Sequence, residues 1–211
     1  MGQISGGAGG DSRGVCTYPE LVINFYNERR KQLLDVVPNA GHLGVADLER
    51  DFNVTVVTQN VDNLHERAGS THVIHLHGEL TKVCSSRDPY NPHFVKELAP
   101  EEYEVKLGDK AGDGTQLRPF IVWFGESVPE IETAIRYVEQ ADIFVIIGTS
   151  LNVYPAAGLL NYVPRAAEVY LIDPKPVDTH VMRPIHVIQK GASEGVKELK
   201  ALLAATQPPL P

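Results

Sequence analysis

Two histidines in the middle of the chain are candidates for proton transfer. His75 and His77 lie two residues apart in an apolar run that ends at Gly78. Histidine exchanges a proton near neutral pH more readily than other side chains. Side chains two apart on a strand point to one face, so a metal pair is an alternative, but no third ligand follows at a suitable spacing. A third alternative is an ordinary histidine beside a turn. His77 is a candidate catalytic residue, spacing alone leaves the turn alternative open, and we expect no metal.

A polar segment follows the β-branched run at residues 54–58. Gln59, Asn60 and Asp62 offer amide donors and carboxylate and carbonyl acceptors, which suit the hydroxyls of a ribose or a carboxamide. The alternative is a turn and helix cap that leads into the next helix at residues 64–67. Spacing alone leaves both open.

Two further strand ends carry polar residues. Gly148, Thr149 and Ser150 follow the apolar run at 143–147, and their backbone N–H groups and hydroxyls suit a phosphate, although a plain turn is the alternative. Asp173 follows the run at 169–172 in the same way. Ligands of parallel α/β sheets bind beyond the carboxyl ends of strands, so these ends suit a nucleotide-sized ligand.

A tyrosine and an arginine share one face of the first predicted helix. Tyr26 and Arg29 are three residues apart, and a hydroxyl beside a guanidinium fork can hold a carboxylate. The alternative is a solvated basic face that Arg30 and Lys31 simply continue.

Alternating helices and strands must position these residues. Periodicity predicts a helix after Pro19 with its apolar face at Leu21, Phe25, Leu33 and Leu34. Further helices are predicted at 43–48, 130–140, 156–162 and 193–203, the last with Ser193 as N-cap, and strands at 54–58, 73–77, 120–124, 143–147, 169–172 and 186–188. This order indicates an α/β fold with a doubly wound, mostly parallel, Rossmann-like sheet. Residues 81–117 show little periodicity and are predicted to form a small irregular second module.

Composition excludes several classes of protein. The 211 residues carry 19 Lys and Arg against 27 Asp and Glu, a net charge of −8, which argues against nucleic-acid binding and suits cationic partners such as lysine-bearing segments. Cys16 and Cys84 make neither a disulfide framework nor a four-cysteine zinc site, which favours a reducing cytoplasm. No apolar run is long enough to cross a bilayer and no signal peptide opens the chain, so we expect a cytoplasmic protein with no membrane contact.

Several motifs, taken in order, resemble those of the sirtuins, which are NAD-dependent protein-lysine deacylases. The motifs are TQNVDNLH at 58–65, HGEL at 77–80, VWFGE at 122–126, GTS at 148–150 and VYP at 153–155. The resemblance runs from about Pro19 to near residue 205. The segment FYNERR at 25–30 is similar to that of the small bacterial class that also removes acidic acyl groups such as succinyl.

The resemblance implies a role for each candidate residue. His77 would be the general base acting on the nicotinamide ribose, with Asn60 and Asp62 at the nicotinamide and Gln59 at its ribose. Tyr26 and Arg29 would bind the acyl carboxylate. The adenosine side and phosphates of NAD would contact Gly148, Thr149 and Ser150, and the strand end at Asp173 is predicted to bind the same cofactor. The substrate peptide would add as a strand beside Val122, Phe124, Gly125, Glu126, Val153 and Tyr154.

The resemblance also implies a reaction. The acyl-lysine amide oxygen attacks C1′ of the nicotinamide ribose of NAD, and the products are nicotinamide, O-acyl-ADP-ribose and free lysine in a protein or peptide. Two alternatives stay open: a catalytically impaired remnant that binds acyl-lysine peptides or a partner, and an ADP-ribosyl transferase that uses the same pocket.

The chain departs from the sirtuin pattern in two places. Many sirtuins bind structural zinc through two Cys-x-x-Cys pairs, whereas only Cys84 lies in the corresponding insertion here, so we expect no zinc. The family begins with an apolar strand that runs into a glycine loop, whereas residues 1–18 are glycine-rich without that strand, so we expect the sheet to lack its usual first strand. The predicted domains are this segment (1–18), a helical part of the small module (19–44), the Rossmann-like NAD-binding domain (45–80 and 118–205), the irregular insertion (81–117) and a tail (206–211).

Overall fold

The structure, a computed structural model, describes residues 19–149, 156–176 and 183–206. These residues form two compact units. Unit 1 comprises the described residues 19–36, 58–63 and 75–129, and unit 2 comprises 37–57, 64–74, 130–149, 156–176 and 183–206. Residues 118–129 thus group with the first helix, whereas the sequence-based boundaries place them in the Rossmann-like domain. The extent of the NAD-binding domain stays a prediction, and the glycine-rich segment at 1–18, with its expected loss of a strand, lies outside the described residues.

Helices and strands alternate along the described chain. The α-helices are α1 (Pro19–Asp35), α2 (Ala40–Asp47), α3 (Leu64–Ala68), α4 (Ile131–Val138) and α5 (Ala192–Thr206). The strands are β1 (Val56–Thr58), β2 (Val73–His75), β3 (Gly78–Ser85), β4 (Lys96–Glu97), β5 (Leu117–Ile121), β6 (Ile143–Ile147), β7 (Glu168–Ile172) and β8 (His186–Ile188). Short 3₁₀ helices occupy Leu48–Arg50, Pro92–Phe94, Pro100–Glu102 and Ala156–Tyr162.

Unit 2 is built on a parallel sheet with the order β6-β7-β8. The register pairs Ile147 with Ile172 and Ile172 with Ile188, so the carboxyl ends of the strands lie at one edge. Helices α2 and α5 pack against each other, and their buried residues Val45, Val196 and Leu199 join the core of this sheet. The strands predicted at 143–147 and 186–188 are confirmed to the residue. Helix α5 begins at Ala192, so Ser193 lies inside the helix and the predicted N-cap is wrong.

Unit 1 contains a three-stranded antiparallel sheet with the order β4-β3-β5. The prediction that residues 81–117 are irregular is therefore wrong in part, because most of β3, all of β4 and the start of β5 fall there. Strand β3 buries residues of both faces, including Val83 and Cys84, which hides the alternation that a half-exposed strand would show. The strand predicted at 120–124 also shifts, because β5 ends at Ile121 and the chain then turns.

Helix α1 packs on β3 and β5 with a face that differs from the predicted one. Leu33 is buried as predicted, but Leu21 and Leu34 are 46% and 47% exposed. The buried face instead includes two polar residues, Asn27 and Arg30, which an apolar periodicity does not count. The alternative in which Arg30 continues a solvated basic face is therefore wrong.

Asn27 and Arg30 replace apolar contacts with hydrogen bonds to backbone. The Asn27 amide nitrogen donates to the Val105 carbonyl at 2.8 Å, and the Val105 N–H donates back to the Asn27 side-chain oxygen at 3.0 Å. Arg30 donates to the carbonyls of Leu80 and Tyr103 at 2.9 and 3.1 Å. These bonds fasten the segment between β4 and β5 to helix α1. Burial lowers the pKa of the Arg30 guanidinium to about 10.

Strands β1 and β2 pair with each other and lead into the polar segments predicted to do chemistry. The Leu76 N–H donates to the Thr58 carbonyl at 2.9 Å, where both strands end. Among the described helices, none combines the length and the apolar character that a membrane crossing requires.

Candidate active site

His77 is held by a backbone carbonyl that determines which ring nitrogen carries its proton. Its Nδ1 lies 3.1 Å from the carbonyl oxygen of Gln59. A carbonyl oxygen only accepts, so the neutral ring must carry its proton on Nδ1 and keep the lone pair on Nε2. The side chain is half-buried. This geometry makes Nε2 of His77 a proton acceptor, as a general base requires.

The polar segment after β1 is fixed by its own backbone contacts. The Asn60 N–H donates to Oγ1 of Thr58 at 3.0 Å, and the Asn60 carbonyl lies 3.2 Å from Nδ1 of His75. The Leu80 N–H donates to the Val61 carbonyl at 2.7 Å. The side chain of Asn60 is exposed. Unit 1 thus brings Gln59 and Asn60 beside the two histidines.

A glycine lets strand β5 pass close to His77. Gly78 has a φ of +83°, and a Cβ at this position would lie 2.1 Å from the carbonyl oxygen of Phe120. The close approach continues with a hydrogen bond of 2.9 Å from the Val122 N–H to the His77 carbonyl. The side chain of His77 is therefore joined to Gln59, and its backbone is joined to residues 122–126.

Residues 122–126 form a turn stabilised by a buried ion pair. The Glu126 N–H donates to the Trp123 carbonyl at 2.9 Å, and Gly125 has a φ of +91°, as the third residue of a type II turn requires. This turn leaves the Phe124 side chain 77% exposed. Arg118 donates to both carboxylate oxygens of Glu126, at 2.7 and 2.9 Å. Residues 122–126 are named the 122–126 loop below.

The charges of this pair are stabilised against burial. Burial tends to raise the pKa of Glu126, but hydrogen bonds from Arg118 and from the Trp123 N–H outweigh it and hold the pKa below its ordinary value. Burial likewise tends to lower the pKa of Arg118, and Glu126 reverses that effect. Both groups are therefore charged at neutral pH.

Tyr26 and Arg29 lie in different environments on helix α1. Tyr26 is buried and its hydroxyl accepts a hydrogen bond of 3.2 Å from Nε1 of Trp123, whereas Arg29 is exposed. The Arg29 guanidinium lies 5.2 Å from the centre of the Phe25 ring and donates to Gln32 at 3.2 Å. Burial raises the pKa of Tyr26, so its phenol keeps its proton. Tyr26 is thus joined to the 122–126 loop through Trp123.

Unit 2 places Gly148 and Asp173 at neighbouring strand ends. The Gly148 N–H donates to the Ile172 carbonyl at 2.9 Å, and the Asp173 N–H donates to the Ile188 carbonyl at 3.3 Å. Gly148 has a φ of +62° and is exposed, and apart from its chain neighbours no atom of the described residues lies within 4 Å of where a Cβ would be. Oδ1 of Asp173 accepts the Lys175 N–H at 2.8 Å. Thr149 follows Gly148, whereas Ser150, Val153 and Tyr154 lie outside the described residues.

The donor set of each unit fits the part of NAD assigned to it. In unit 1 the lone pair on Nε2 of His77 suits a ribose hydroxyl, and the amide of Asn60 with the carboxylate of Asp62 suits a carboxamide, which both donates and accepts. In unit 2 the strand end at Gly148 is exposed, and its backbone groups suit a phosphate or sugar. No three His, Cys, Asp or Glu side chains within the described ranges are placed to hold a metal ion. The absence of zinc stays a prediction.

The sequence analysis did not identify Arg118 as a site residue, and it gave Trp123 no role beyond its place in a motif. Arg118 is 6% exposed, and its guanidinium carbon lies 3.7 Å from the centre of the Trp123 ring. The signal was present, since an arginine stands beside a proline at the start of an apolar run. A charged residue in a buried strand needs a partner, and Glu126 was the acidic residue nearest to it in the following turn.

Known proteins match both the sequence and the fold. The Sir2 family model matches residues 11–155. An NAD-dependent protein deacylase of Bacteroides thetaiotaomicron is 83% identical over 185 residues, which cover 88% of this chain and 79% of that protein. An NAD-dependent protein deacylase of Helicobacter pylori is 47% identical over 181 residues, covering 86% of this chain and 76% of that protein.

Solved structures of the same family share the fold. A Sir2 homologue in complex with NAD superposes with a TM-score of 0.81 at 34% identity, covering 95% of this chain and 78% of that one. A complex of Sir2 with a p53 peptide and NAD⁺ has a TM-score of 0.77 at 26% identity and covers 98% of this chain and 86% of that one. These matches confirm the α/β, Rossmann-like fold class and the predicted family. This chain belongs to the Sir2 family, the sirtuins.

Proposed function

We propose that this chain is an NAD-dependent protein-lysine deacylase that removes acetyl and succinyl groups and gives nicotinamide, O-acyl-ADP-ribose and deacylated lysine. The observation that carries the proposal is the hydrogen bond from Nδ1 of His77 to the Gln59 carbonyl at 3.1 Å. It leaves Nε2 as the acceptor of a proton. Membership of the Sir2 family, with relatives named NAD-dependent protein deacylase, supports the same reaction.

His77 acts as the general base in this proposal. When bound, NAD supplies the electrophilic C1′ carbon of its nicotinamide ribose, from which nicotinamide departs. Nε2 of His77 accepts the proton of a ribose hydroxyl, and the Gln59 carbonyl stabilises the positive charge that then develops on the ring. Asn60 and Asp62 bind the carboxamide of the nicotinamide, and Gln59 contacts its ribose.

The residues of unit 2 bind the other half of NAD in this proposal. Gly148, Thr149 and Ser150 contact the adenosine side and the phosphates, and Asp173 accepts from a ribose hydroxyl. The exposed Gly148 with its open surroundings supports this assignment, because no side chain of the described residues fills the space that a Cβ would enter.

The 122–126 loop binds the substrate in this proposal. An acyl-lysine peptide lies along Val122, Phe124 and Gly125 as an added strand. The resemblance also assigns Glu126, Val153 and Tyr154 to the substrate, and the last two lie outside the described residues. The exposed turn at Phe124 supports the assignment, and the hydrogen bond from Val122 to the His77 carbonyl places the loop beside the general base. Tyr26 and Arg29 bind the carboxylate of an acidic acyl group.

We also propose that the protein is cytoplasmic. The supporting observation is Cys84, a free thiol that is fully buried and lies 3.7 Å from the Pro119 carbonyl. A reduced, buried cysteine is usual in a reducing compartment.

Nicotinamide release tests the proposed function. The wild-type chain, incubated with NAD and an acetyl- or succinyl-lysine peptide, is expected to release nicotinamide only when both are present. His77→Ala is expected to reduce the rate at least about 100-fold, the size usual for a lost general base. His93→Ala, which removes an exposed imidazole of unit 1 from the 3₁₀ turn Pro92–Phe94, is the matched control. Equal rates in the two variants would overturn the role of His77.

A further inference from the structure

We propose that Arg118 and Glu126 are positioning residues for the substrate peptide: together they hold the 122–126 loop in its binding conformation, and neither touches the substrate. The inference rests on the proposed function, because it assigns the determinants of substrate affinity within the same site. It differs from the role implied by resemblance for Glu126, which is a direct contact with the peptide.

Arg118 donates hydrogen bonds to the residue before the 122–126 loop and to the last residue in it. One guanidinium nitrogen, Nη2, donates to the Ile121 carbonyl at 2.9 Å, just before the loop, and to the Glu126 carboxylate at 2.9 Å, at its end. The other, Nη1, donates to the Glu126 carboxylate at 2.7 Å. The planar fork of arginine suits this double contact, and the single ammonium of lysine does not. Arg118 therefore sets the distance between the residue before the loop and the last residue in it.

The carboxylate of Glu126 is already occupied. Besides both Arg118 nitrogens, it accepts the Trp123 N–H at 3.0 Å and lies 3.5 Å from the Tyr90 hydroxyl. Three of these four contacts are to Oε2, whereas Oε1 accepts from Nη1 of Arg118, so both carboxylate oxygens already accept hydrogen bonds within the chain. The side chains of Arg118 and Glu126 are only 7% and 18% exposed. A substrate peptide that bound Oε2 of Glu126 would have to displace one of the contacts that hold the loop.

Trp123 connects this pair to the rest of the proposed site. The Arg118 guanidinium lies over its ring at 3.7 Å, and its Nε1 donates to the Tyr26 hydroxyl at 3.2 Å. Val122, directly before it, donates to the His77 carbonyl at 2.9 Å. A loop held in this way keeps its backbone at a constant distance from the general base. Loss of the ion pair between Arg118 and Glu126 should therefore weaken peptide binding more than it slows the chemical step.

The single tryptophan of the chain gives a direct measurement. Titration of an acetyl-lysine peptide without NAD, followed by Trp123 fluorescence and repeated by calorimetry, gives the peptide Kd without any turnover. The variants are Arg118→Lys and Glu126→Gln, alone and together, with Arg136→Lys on the exposed surface of α4 as the matched control. Thermal unfolding of each variant monitors folding, and if Arg118→Lys does not fold, the isosteric Glu126→Gln carries the test.

Each single variant is expected to raise the peptide Kd about tenfold, and the double variant about tenfold rather than a hundredfold, because both break one unit. The KM for peptide should rise with it, while kcat at saturating peptide stays within about twofold. A peptide Kd equal to that of the wild type, a hundredfold product in the double variant, or a loss confined to kcat would overturn the proposal. If the wild type deacylates normally while the variants match it, only this inference fails. If the wild type neither binds the peptide nor releases nicotinamide, the proposed function fails.

Discussion

Unit 2 is built around an apolar core, whereas unit 1 buries several polar side chains. The core of unit 2 joins Tyr170 and Ile172 of the sheet to Val196 and Leu199 of α5. The buried polar residues of unit 1 are Asn27, Arg30, Thr58, His75, Ser85 and Arg118. Each of the hydrogen bonds that these residues make has a direction and a length, so they fix side chains more narrowly than apolar contacts do. The unit that carries the proposed general base and peptide loop thus adds directional bonds to an apolar cluster of its own at Ile23, Val83 and Val105.

The difference predicts where each unit tolerates substitution. In unit 2 the volume of a core side chain should matter most, and in unit 1 the geometry of backbone and hydrogen bonds should matter most. Two probes separate the units: hydrogen exchange of α5 reports on unit 2, and the fluorescence of Trp123 reports on unit 1.

The largest expected effect is a cavity in unit 2. Leu171 is fully buried in β7, the middle strand of the parallel sheet, and Leu171→Ala should lower the free energy of unfolding by about 4 kcal/mol. Val187 pairs with Leu171 on β8 but is 53% exposed, so Val187→Ala is the matched control and should cost about 0.5 kcal/mol. Denaturant unfolding, monitored by hydrogen exchange of α5, measures the free energy of unfolding of both variants. Equal costs would contradict an apolar core at this sheet.

A slightly smaller effect is expected at the glycine beside the general base. In Gly78→Ala the new methyl group would meet the Phe120 carbonyl at 2.1 Å, and the residue would keep a φ of +83°. The steric clash and the positive φ together should lower the free energy of unfolding by about 3 kcal/mol. Denaturant unfolding monitored by Trp123 fluorescence measures this change.

Gly114→Ala is the control that measures the cost of a positive φ without a steric clash. Gly114 has a φ of +79° and no atom within 4 Å of a new Cβ, so the cost should be about 1 kcal/mol. A cost for Gly78→Ala no larger than this would mean that β5 does not approach His77 as closely as described.

The same contrast explains what the sequence could predict. Apolar periodicity identified β6 and β8 to the residue, because their positions follow from a hydrophobic run that ends in polar residues. It failed for β3 and β4, which lie in a segment with three prolines and a bulge in the pairing of β3 with β5. Apolar periodicity also predicted the wrong buried face for α1. The buried Asn27 and Arg30 donate hydrogen bonds to backbone carbonyls that are distant in sequence, and periodicity does not detect such contacts.

The candidate site was predictable only in its residue types. Motif resemblance identified Gln59, Asn60 and His77, and their positions at adjacent strand ends brought them together. The ion pair between Arg118 and Glu126 depends on the turn at Gly125. The hydrogen bond from Trp123 to Tyr26 joins residues that are 97 positions apart in the sequence. A pairing of that sequence separation leaves no periodic signal.

A selective effect on activity is expected at Arg29. Loss of its charge in Arg29→Met should lower kcat/KM for a succinyl-lysine peptide about tenfold and for an acetyl-lysine peptide by less than about twofold, because only the first carries a carboxylate. Lys31→Met, two residues further along the exposed side of α1, is the matched control. Equal losses for both peptides would exclude a role for Arg29 in reading the acyl charge.

The smallest expected effect is a pH dependence of unit 1. Hydrogen bonds from Thr115 and Ser85 lower the pKa of Asp113 from 3.8 to about 2. A depressed carboxyl pKa stabilises the folded state above the unfolded value, and this stabilisation is lost as the pH falls from 3.8 towards about 2. The melting temperature, followed by Trp123 fluorescence, should therefore fall more steeply over this window in the wild type than in Asp113→Asn. Parallel curves would contradict the described contacts of Asp113.

Mass spectrometry of the reaction products tests the central claim most directly. With NAD, the wild-type chain should convert a succinyl-lysine peptide to the free lysine peptide and form one O-succinyl-ADP-ribose for each nicotinamide released. His77→Ala should bind the peptide with unchanged affinity and form neither product. Deacylation by His77→Ala at the wild-type rate, or transfer of ADP-ribose to protein in place of deacylation, would contradict the account.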